Sequence, residues 1–294
     1  MNIGILTDST CDLSSEMLAK YNVETIPLNI NFSGDIYRDG IDIGTLEFYD
    51  KMLKTDEIPG TSQPSVGLFQ EKYKDMDDKY DAILSLHISG KLSGTIESAR
   101  LASMQLDNID IHLFDSRSTT LGLGFLVILA AKLVNKGYDI SEIISILEKA
   151  RKETYIYFSV NDLKYLKLGG RIGKAQALLG SVLNFNPVLK LNGLKGEVEP
   201  YKKVRGNKKT RNEMLTICKN IIGNEKQFYI GILKGKIENK VEKFSQQLLL
   251  MLDEYEDVNI YKKKGYISPV LASHAGPYVY GFVILKGDFL DNAI

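Results

Sequence analysis

Short apolar runs and longer amphipathic ones take turns along the first half of the chain, and their spacing lays out a fold. Asn2 to Thr7, Val23 to Phe32, Asp81 to Ile88 and Ile109 to Phe114 read as strands, the second carrying β-branched residues at Val23, Thr25, Ile26 and Ile30. Helical spacing fills the gaps at Leu13 to Tyr21, Leu46 to Lys54 behind an N-cap at Thr45, Val66 to Asp75 and Thr95 to Gln105. Strands alternating with helices predict a mainly parallel sheet covered on both faces. Thr119 to Lys136 is apolar nearly all round, so a buried helix is expected there. Asp139 to Glu142 has capping-box spacing and opens a further helix that ends near Glu153.

Near Thr154 the texture changes. Thr154 to Val160 is strand-like, Asn161 to Leu168 is a short helix stopped by Gly169-Gly170, and Lys174 to Leu183 is another helix. Pro187 to Leu191 and Val198 to Val204 look like a hairpin pair. A helix from Asn207 to Ile222, a strand from Phe228 to Leu233, a helix from Lys236 to Leu252 and two or three strands between Val258 and Leu285 complete a second α+β unit. A chain of 294 residues suits two domains, since single cores stop growing at roughly 250 residues. The expected division is 1–153, an α/β domain with a mainly parallel sheet, and 154–294, an α+β domain with a mixed sheet.

Charge and cysteine content narrow the function classes. Lys plus Arg and Asp plus Glu number 37 each, so no whole-molecule field draws the chain to nucleic acid or an anionic membrane. Cys11 and Cys218 fall in different expected domains without CxxC spacing, which suggests neither a disulfide framework nor a zinc site and fits a reducing cytoplasm. The opening MNIGILTDST lacks a basic leader and runs into a strand, so no signal peptide is expected. The most apolar run, Leu121 to Ala131, is well short of the ~20 residues that span a bilayer. A soluble protein without metal or cofactor is the expectation.

Three polar segments share one chemical character: Thr61-Ser62-Gln63-Pro64-Ser65, Ser89-Gly90-Lys91-Leu92-Ser93-Gly94-Thr95 and Ser273-His274-Ala275-Gly276-Pro277. The first two offer hydroxyls beside expected helix starts, where free N–H groups and the helix dipole favour an anion. Ser93 follows a parallel strand by a loop, the place where open α/β sheets bind ligands, although a serine there also serves as an ordinary N-cap. Thr61 and Ser62 precede Pro64 and read equally well as caps. Asp8-Ser9-Thr10 ends the first strand and reads first as a cap or turn. His274 sits among small residues where backbone can bend, and an imidazole of ordinary pKa donates to anions or shuttles protons. His87 and His112 lie inside expected strands, packed or facing outward.

Two further segments invite stronger readings. Gly169-Gly170-Arg171-Ile172-Gly173-Lys174 lacks the first Gly and the final hydroxyl of a phosphate loop, so nucleotide binding is rejected, leaving Arg171 and Lys174 presented by a Gly-rich turn. Tyr201 to Arg211 is basic without an acid and without an aromatic platform for nucleic acid. A serine hydrolase built on Ser93, His274 and an Asp such as Asp8 stays open as an alternative, although Gly90-Lys91-Leu92-Ser93-Gly94 is not a nucleophile elbow.

The order and spacing of these segments resemble the DegV family, the bacterial fatty-acid-binding proteins that include the FakB subunits of fatty acid kinase. The likeness rests on Ile5 to Thr10, Thr61 to Ser65, Ile88 to Thr95, Phe114-Asp115-Ser116, Leu166 to Ile172 and Ser273 to Pro277. It implies an N-terminal three-layer α/β/α domain, a C-terminal two-layer α/β domain, and a long-chain fatty acid bound between them. By motif position Thr61, Ser93 and His274 would hold the carboxylate, with Ser62, Gly94 and Thr95 as further headgroup candidates. Arg171 and Arg205 would face phosphate or a separate ATP-dependent kinase that makes acyl phosphate. Such a ligand needs donors that replace its hydration and an apolar tunnel for its tail. Phe125, Leu126 and Leu129, with Leu178, Leu179 and Leu183, are expected to line part of it, although ordinary core packing is the first reading of each of these residues taken singly.

Overall fold

The computed structural model describes residues 2–179, 186–236, 239–255 and 259–289. Through the first half the chain forms β1 (Ile3–Asp8), α1 (Ser15–Lys20), β2 (Val23–Ile26), β3 (Asn29–Phe32), β4 (Asp35–Arg38), α2 (Thr45–Met52), β5 (Gly60–Ser62), α3 (Val66–Asp77), β6 (Ala82–His87), α4 (Thr95–Ser103), β7 (Ile111–Asp115), α5 (Thr120–Asn135) and α6 (Ile140–Lys152). The second half adds β8 (Thr154–Ser159), α7 (Lys164–Leu168), β9 (Asn186–Asn192), β10 (Glu197–Val204), α8 (Asn207–Ile222), β11 (Gln227–Lys234), α9 (Asn239–Leu252), β12 (Asn259–Tyr266), α10 (Pro269–Ala275) and β13 (Tyr280–Lys286).

Three sheets result. The first has the order β2-β1-β6-β7 and is parallel throughout, with Ile5 opposite both Val23 and Leu84. The second has the order β10-β9-β8-β13-β11-β12 and is mixed, antiparallel except for the β11–β12 pair. The third is a small antiparallel sheet, β4-β3-β5. The run from Val23 to Phe32 is therefore two strands. Pro27 separates them, because it has no N–H to give a ladder, so Ile26 pairs with Asp8 in the parallel sheet while Asn29 opens the small one.

Every residue of β1 and β6 is buried, as a parallel sheet covered on both faces demands. Leu6, Ile26 and Ile83 face Phe69, Tyr73 and Met76 of α3 and Ala99 and Ala102 of α4. Ile3, Ile5, Leu84 and Leu86 point the other way into a core shared with α5. That same core continues through Ile156, Leu189, Leu191, Val283 and Leu285 of the mixed sheet, so α5 lies between two sheets. Residues 120–131 are consequently all buried, which explains why the helix is apolar all round. The far face of the mixed sheet packs Phe228, Ile230, Ile232, Phe282 and Ile284 on Met214 and Ile217 of α8 and Phe244 and Leu248 of α9.

Close packing on α5 requires glycine at chosen points. A Cβ on Gly124 would sit 2.6 Å from the carbonyl oxygen of Cys11, a backbone atom that has nowhere to go. Gly124→Ala is expected to lower stability by about 1–3 kcal/mol through overpacking. Gly67→Ala, where the added methyl meets only Ser65 Oγ at 3.9 Å, is expected to leave stability unchanged or raised by up to about 1 kcal/mol. Urea unfolding of both variants checks this, and equal midpoints would contradict it.

Candidate functional site

Thr61 stands on β5 opposite Ile30, and His274 on α10, which packs against β3, β5, α2 and α7. The packing brings Thr61 Oγ1 within 2.7 Å of His274 Nε2. Nδ1 of His274 is buried without a hydrogen-bond partner and looks onto Gly169, where a Cβ would lie 2.2 Å from it. Gly169 is thus needed for clearance, while Gly170, at φ 71°, takes the left-handed turn beyond α7. Burial, with the charge of Arg171 adding to it, pulls the His274 pKa down to about 4, so the imidazole is neutral at physiological pH rather than poised near 7. Arg171 is fixed by its own donors, Nε to Leu92 O at 2.8 Å and Nη1 to Gly169 O at 2.7 Å. Ser93, the residue after Leu92, lies 2.9 Å from Thr95 through its hydroxyl.

Thr61, Ser93, Arg171 and His274 all line one cavity. The remaining wall is mostly apolar and comes from both halves of the chain: Leu28 and Ile88 from the first, Ile156, Phe158, Leu191, Val198, Leu233, Ile267 and Val270 from the second. Thr119 and Thr120 are the other polar lining residues. Thr120 holds φ at 48°, a conformation costly for a β-branched residue, and its hydroxyl is tied to Asp12 at 2.5 Å.

Several expected placements change. Thr61 and Ser62 are strand residues, and Ser65 caps α3 by accepting from the Leu68 amide. Ser62 is exposed and outside the cavity wall, Gly94 is the N-cap residue of α4, and Thr95 is fully buried behind Ser93. Gly94 meets Gln63 so closely that a Cβ would overlap its amide. Arg205 is exposed at the turn into α8, away from the lining residues. His274 is helical, not in a bend; Ser268-Pro269, a capping residue followed by proline at N1, was the signal for that helix. Phe125, Leu126 and Leu129 do not line the cavity; they are core residues packed between the sheets, the first reading of each taken singly, because α5 has no free face. Leu178 and Leu179 also lie outside the wall, and Leu183 falls outside the described residues. The segment from Gly173 to Leu178 is a 3-10 helix begun at a glycine with φ 51°.

The hydrolase arrangement does not assemble. Asp8 bonds to His87, not to His274, and the partner of His274 Nε2 is Thr61. Ser93 and His274 share a cavity, but each hydroxyl or imidazole is engaged elsewhere.

A family model described as "Uncharacterised protein, DegV family" matches residues 2–287. The chain belongs to the DegV family. Protein DegV of Bacillus subtilis is 33% identical to it over 282 residues, covering 96% of this chain and 98% of that one. A solved structure described as fatty acid binding of a DegV family protein from Thermus thermophilus superposes with a TM-score of 0.90 at 36% identity, covering 98% of this chain and 100% of that one. A stearic-acid-binding protein from Eubacterium ventriosum superposes at 0.86 with 27% identity, covering 98% and 99%. The parallel and mixed sheets described above are thus the DegV fold. Among the described residues no helix is long and apolar enough to cross a membrane, and no cluster of His, Cys, Asp and Glu is placed to hold a metal ion.

Two carboxylates of this DegV chain meet the start of α10, the helix that carries His274. Asp12 accepts from the Ser268 amide at 3.1 Å. Asp39 is buried beside Ser9 and the Val270 amide, neither of which gives its oxygens a well-formed hydrogen bond. Burial, with smaller contributions from Asp12 and Asp8, pushes the Asp39 pKa up to about 7, against the pull of Ser9 and Val270. The unfolded chain ionises Asp39 near 4, so the fold bears an increasing cost as pH rises from there to about 7 and a constant one above. Asp39→Asn is therefore expected to match wild-type stability near pH 4 and to exceed it by roughly 2–4 kcal/mol at pH 8. Denaturant melts across that range check the sign; a variant that is relatively weaker at pH 8 than at pH 4 would reverse it.

Proposed function

We propose that this DegV-family chain binds a long-chain fatty acid, with the carboxylate at Thr61, Ser93 and His274 beside Arg171 and the tail against the apolar wall. The observation that carries this reading is the make-up of the cavity. Its polar residues are linked to one another: Thr61 to His274 by a hydrogen bond, His274 to Arg171 by charge, and Arg171 to the residue before Ser93 by a hydrogen bond. Fixed hydroxyl donors and one cation are what a carboxylate leaving water requires. The tail supplies the driving force, about 0.8 kcal/mol per methylene, or on the order of 11 kcal/mol for some 14 methylenes before ordering costs. Relatives described as binding fatty acid and stearic acid support the same class of ligand.

The finer reading has the chain acting as a carrier, not a catalyst, in the cytoplasm. Its two domains, 1–153 and 154–294, enclose the ligand between the parallel and mixed sheets, and a separate ATP-dependent kinase phosphorylates the presented carboxylate. Arg171 beside the headgroup supports a phosphate-facing role, and the basic segment around Arg205 offers a surface for an acidic partner. The failure of Ser93, His274 and Asp8 to form a nucleophile–base pair disfavours the ester-hydrolase alternative.

Denaturing extraction of the purified protein is expected to release a straight-chain fatty acid, identified by its mass. Ser93→Ala is expected to weaken fatty-acid binding by roughly 1–3 kcal/mol in a lipid titration, because a carboxylate oxygen loses its donor. No retained lipid, together with no uptake of added fatty acid, would overturn the reading; unchanged affinity in the variant would remove Ser93 from the site.

A further inference from the structure

A chain of polar side chains runs beneath the cavity without touching it. The hydroxyl of Tyr73 lies 3.0 Å from Ser85 Oγ, which lies 2.7 Å from His87 Nε2, and His87 Nδ1 lies 3.0 Å from Asp8 Oδ2. Tyr73, Ser85, His87 and Asp8 are all 0% exposed, and the ring of Phe69 closes edge-on over His87 at 5.1 Å. The order serine, histidine, aspartate is that of a hydrolase triad. Here the serine hydroxyl is held on both sides, fully buried and outside the wall of the cavity described above, so it is not presented to a ligand there.

The end of the chain shows a different use. Asp8 accepts four hydrogen bonds: from the Thr10 amide at 3.1 Å, the Thr10 hydroxyl at 2.5 Å, His87 Nδ1, and the Ile88 amide at 2.9 Å. Ile88 is the first residue beyond β6, and from it to Ser93 the backbone is fixed almost step by step. The Ser89 amide donates to Ser118 O at 2.9 Å, and the Ser89 hydroxyl donates to Gly196 O at 2.7 Å in the β9–β10 turn. The Lys91 amide donates to Ser89 Oγ at 3.2 Å, and the amides of Leu92 and Ser93 donate to Ser89 O at 2.9 and 3.1 Å. Leu92 O in turn receives Arg171 Nε. The placement of both Ser93 and Arg171 therefore refers back to the strand end at Asp8.

We propose that Asp8, oriented by His87, is a positioning residue that sets the carboxylate-binding geometry of the 88–93 loop. The inference rests on the carboxylate reading of the cavity given above. An ionised carboxylate is the side chain of this length that accepts at every lone pair. Ile88 and His87 both donate to Oδ2 and Thr10 donates twice to Oδ1, so asparagine sets an NH2 donor either against the Ile88 amide and His87 or against the Thr10 amide, and the strand end and the loop it holds must then shift. Binding groups lose their function once displaced by about 0.5 Å.

The test compares dissociation constants for a long-chain fatty acid and the primary alcohol with the same tail, in wild type and in Asp8→Asn, His87→Leu and His87→Asn. The preference for acid over alcohol is the readout, since loss of general stability weakens both ligands together. Asp8→Asn and His87→Leu are expected to cut the preference about tenfold or more. His87→Asn, whose amide donor stands where Nδ1 stood, is expected to keep it within about threefold. Should Asp8→Asn not fold, the two His87 variants carry the comparison. A wild-type preference that survives Asp8→Asn and His87→Leu, or falls equally in His87→Asn and His87→Leu, overturns the inference alone. A wild type that binds acid and alcohol equally overturns the carboxylate reading and this inference with it.

Discussion

The hydrogen bond between Thr61 and His274 joins residues 213 positions apart and fastens the small antiparallel sheet to the helix between β12 and β13. The cavity has its polar end because that contact exists. Its character follows from burial: a desolvated imidazole next to Arg171 stays neutral, so the guanidinium is the cation among the cavity's lining residues and the imidazole is engaged through its hydrogen bond to Thr61. Gly169 leaves the space that lets the ring approach.

The elements that meet there are held from below. In a parallel sheet the strands all release their chains at one end, and ligands gather outside it. Asp8 ends β1, the Ser89–Ser93 loop follows β6, and Ser116 to Thr119 follow β7. Ser89 bonds to the loop after β7 and to the β9–β10 turn, so these exits brace one another across to the mixed sheet. Helix α5 does the same for the apolar side, filling the gap between the sheets so that Ile156 and Leu191 face the cavity from a rigid strand pair. Asp12 ties the start of α5 to the start of α10 through Thr120 and Ser268. Asp8 and Asp12 thus hold the elements that carry the site while standing outside its wall.

Much of this order was legible in the residues. Period and composition located the four parallel strands and the buried helix, because burial on both faces keeps β1, β6 and α5 mostly apolar. The loop with Ser93 was placed correctly after β6. Thr61 was misread because hydroxyls ahead of a proline satisfy the pattern of a helix cap and of a short strand alike, and only pairing with Ile30 decides between them. The helix of His274 was hidden by its small residues, Ala272, Ser273, Ala275 and Gly276, which are common in bends but here allow α10 to pack on α7. No local pattern announces the lining residues, since Leu28, Val198 and Leu233 are apolar positions like any others until the sheets are stacked. His87 reads as a packed strand histidine, and it is one; its link to Asp8 is visible only once β1 and β6 lie side by side.

The central claim is that fixed donors and Arg171 replace water around an ionised headgroup. Carbon-13 NMR of the protein loaded with a fatty acid labelled at its carboxyl carbon tests this most directly. The account predicts one bound resonance at the ionised carboxylate shift, unchanged from pH 8 down to about 5, since donors and a cation hold the charged form where bare burial would neutralise it. A bound resonance at the protonated shift, or one that titrates within that interval, would contradict it.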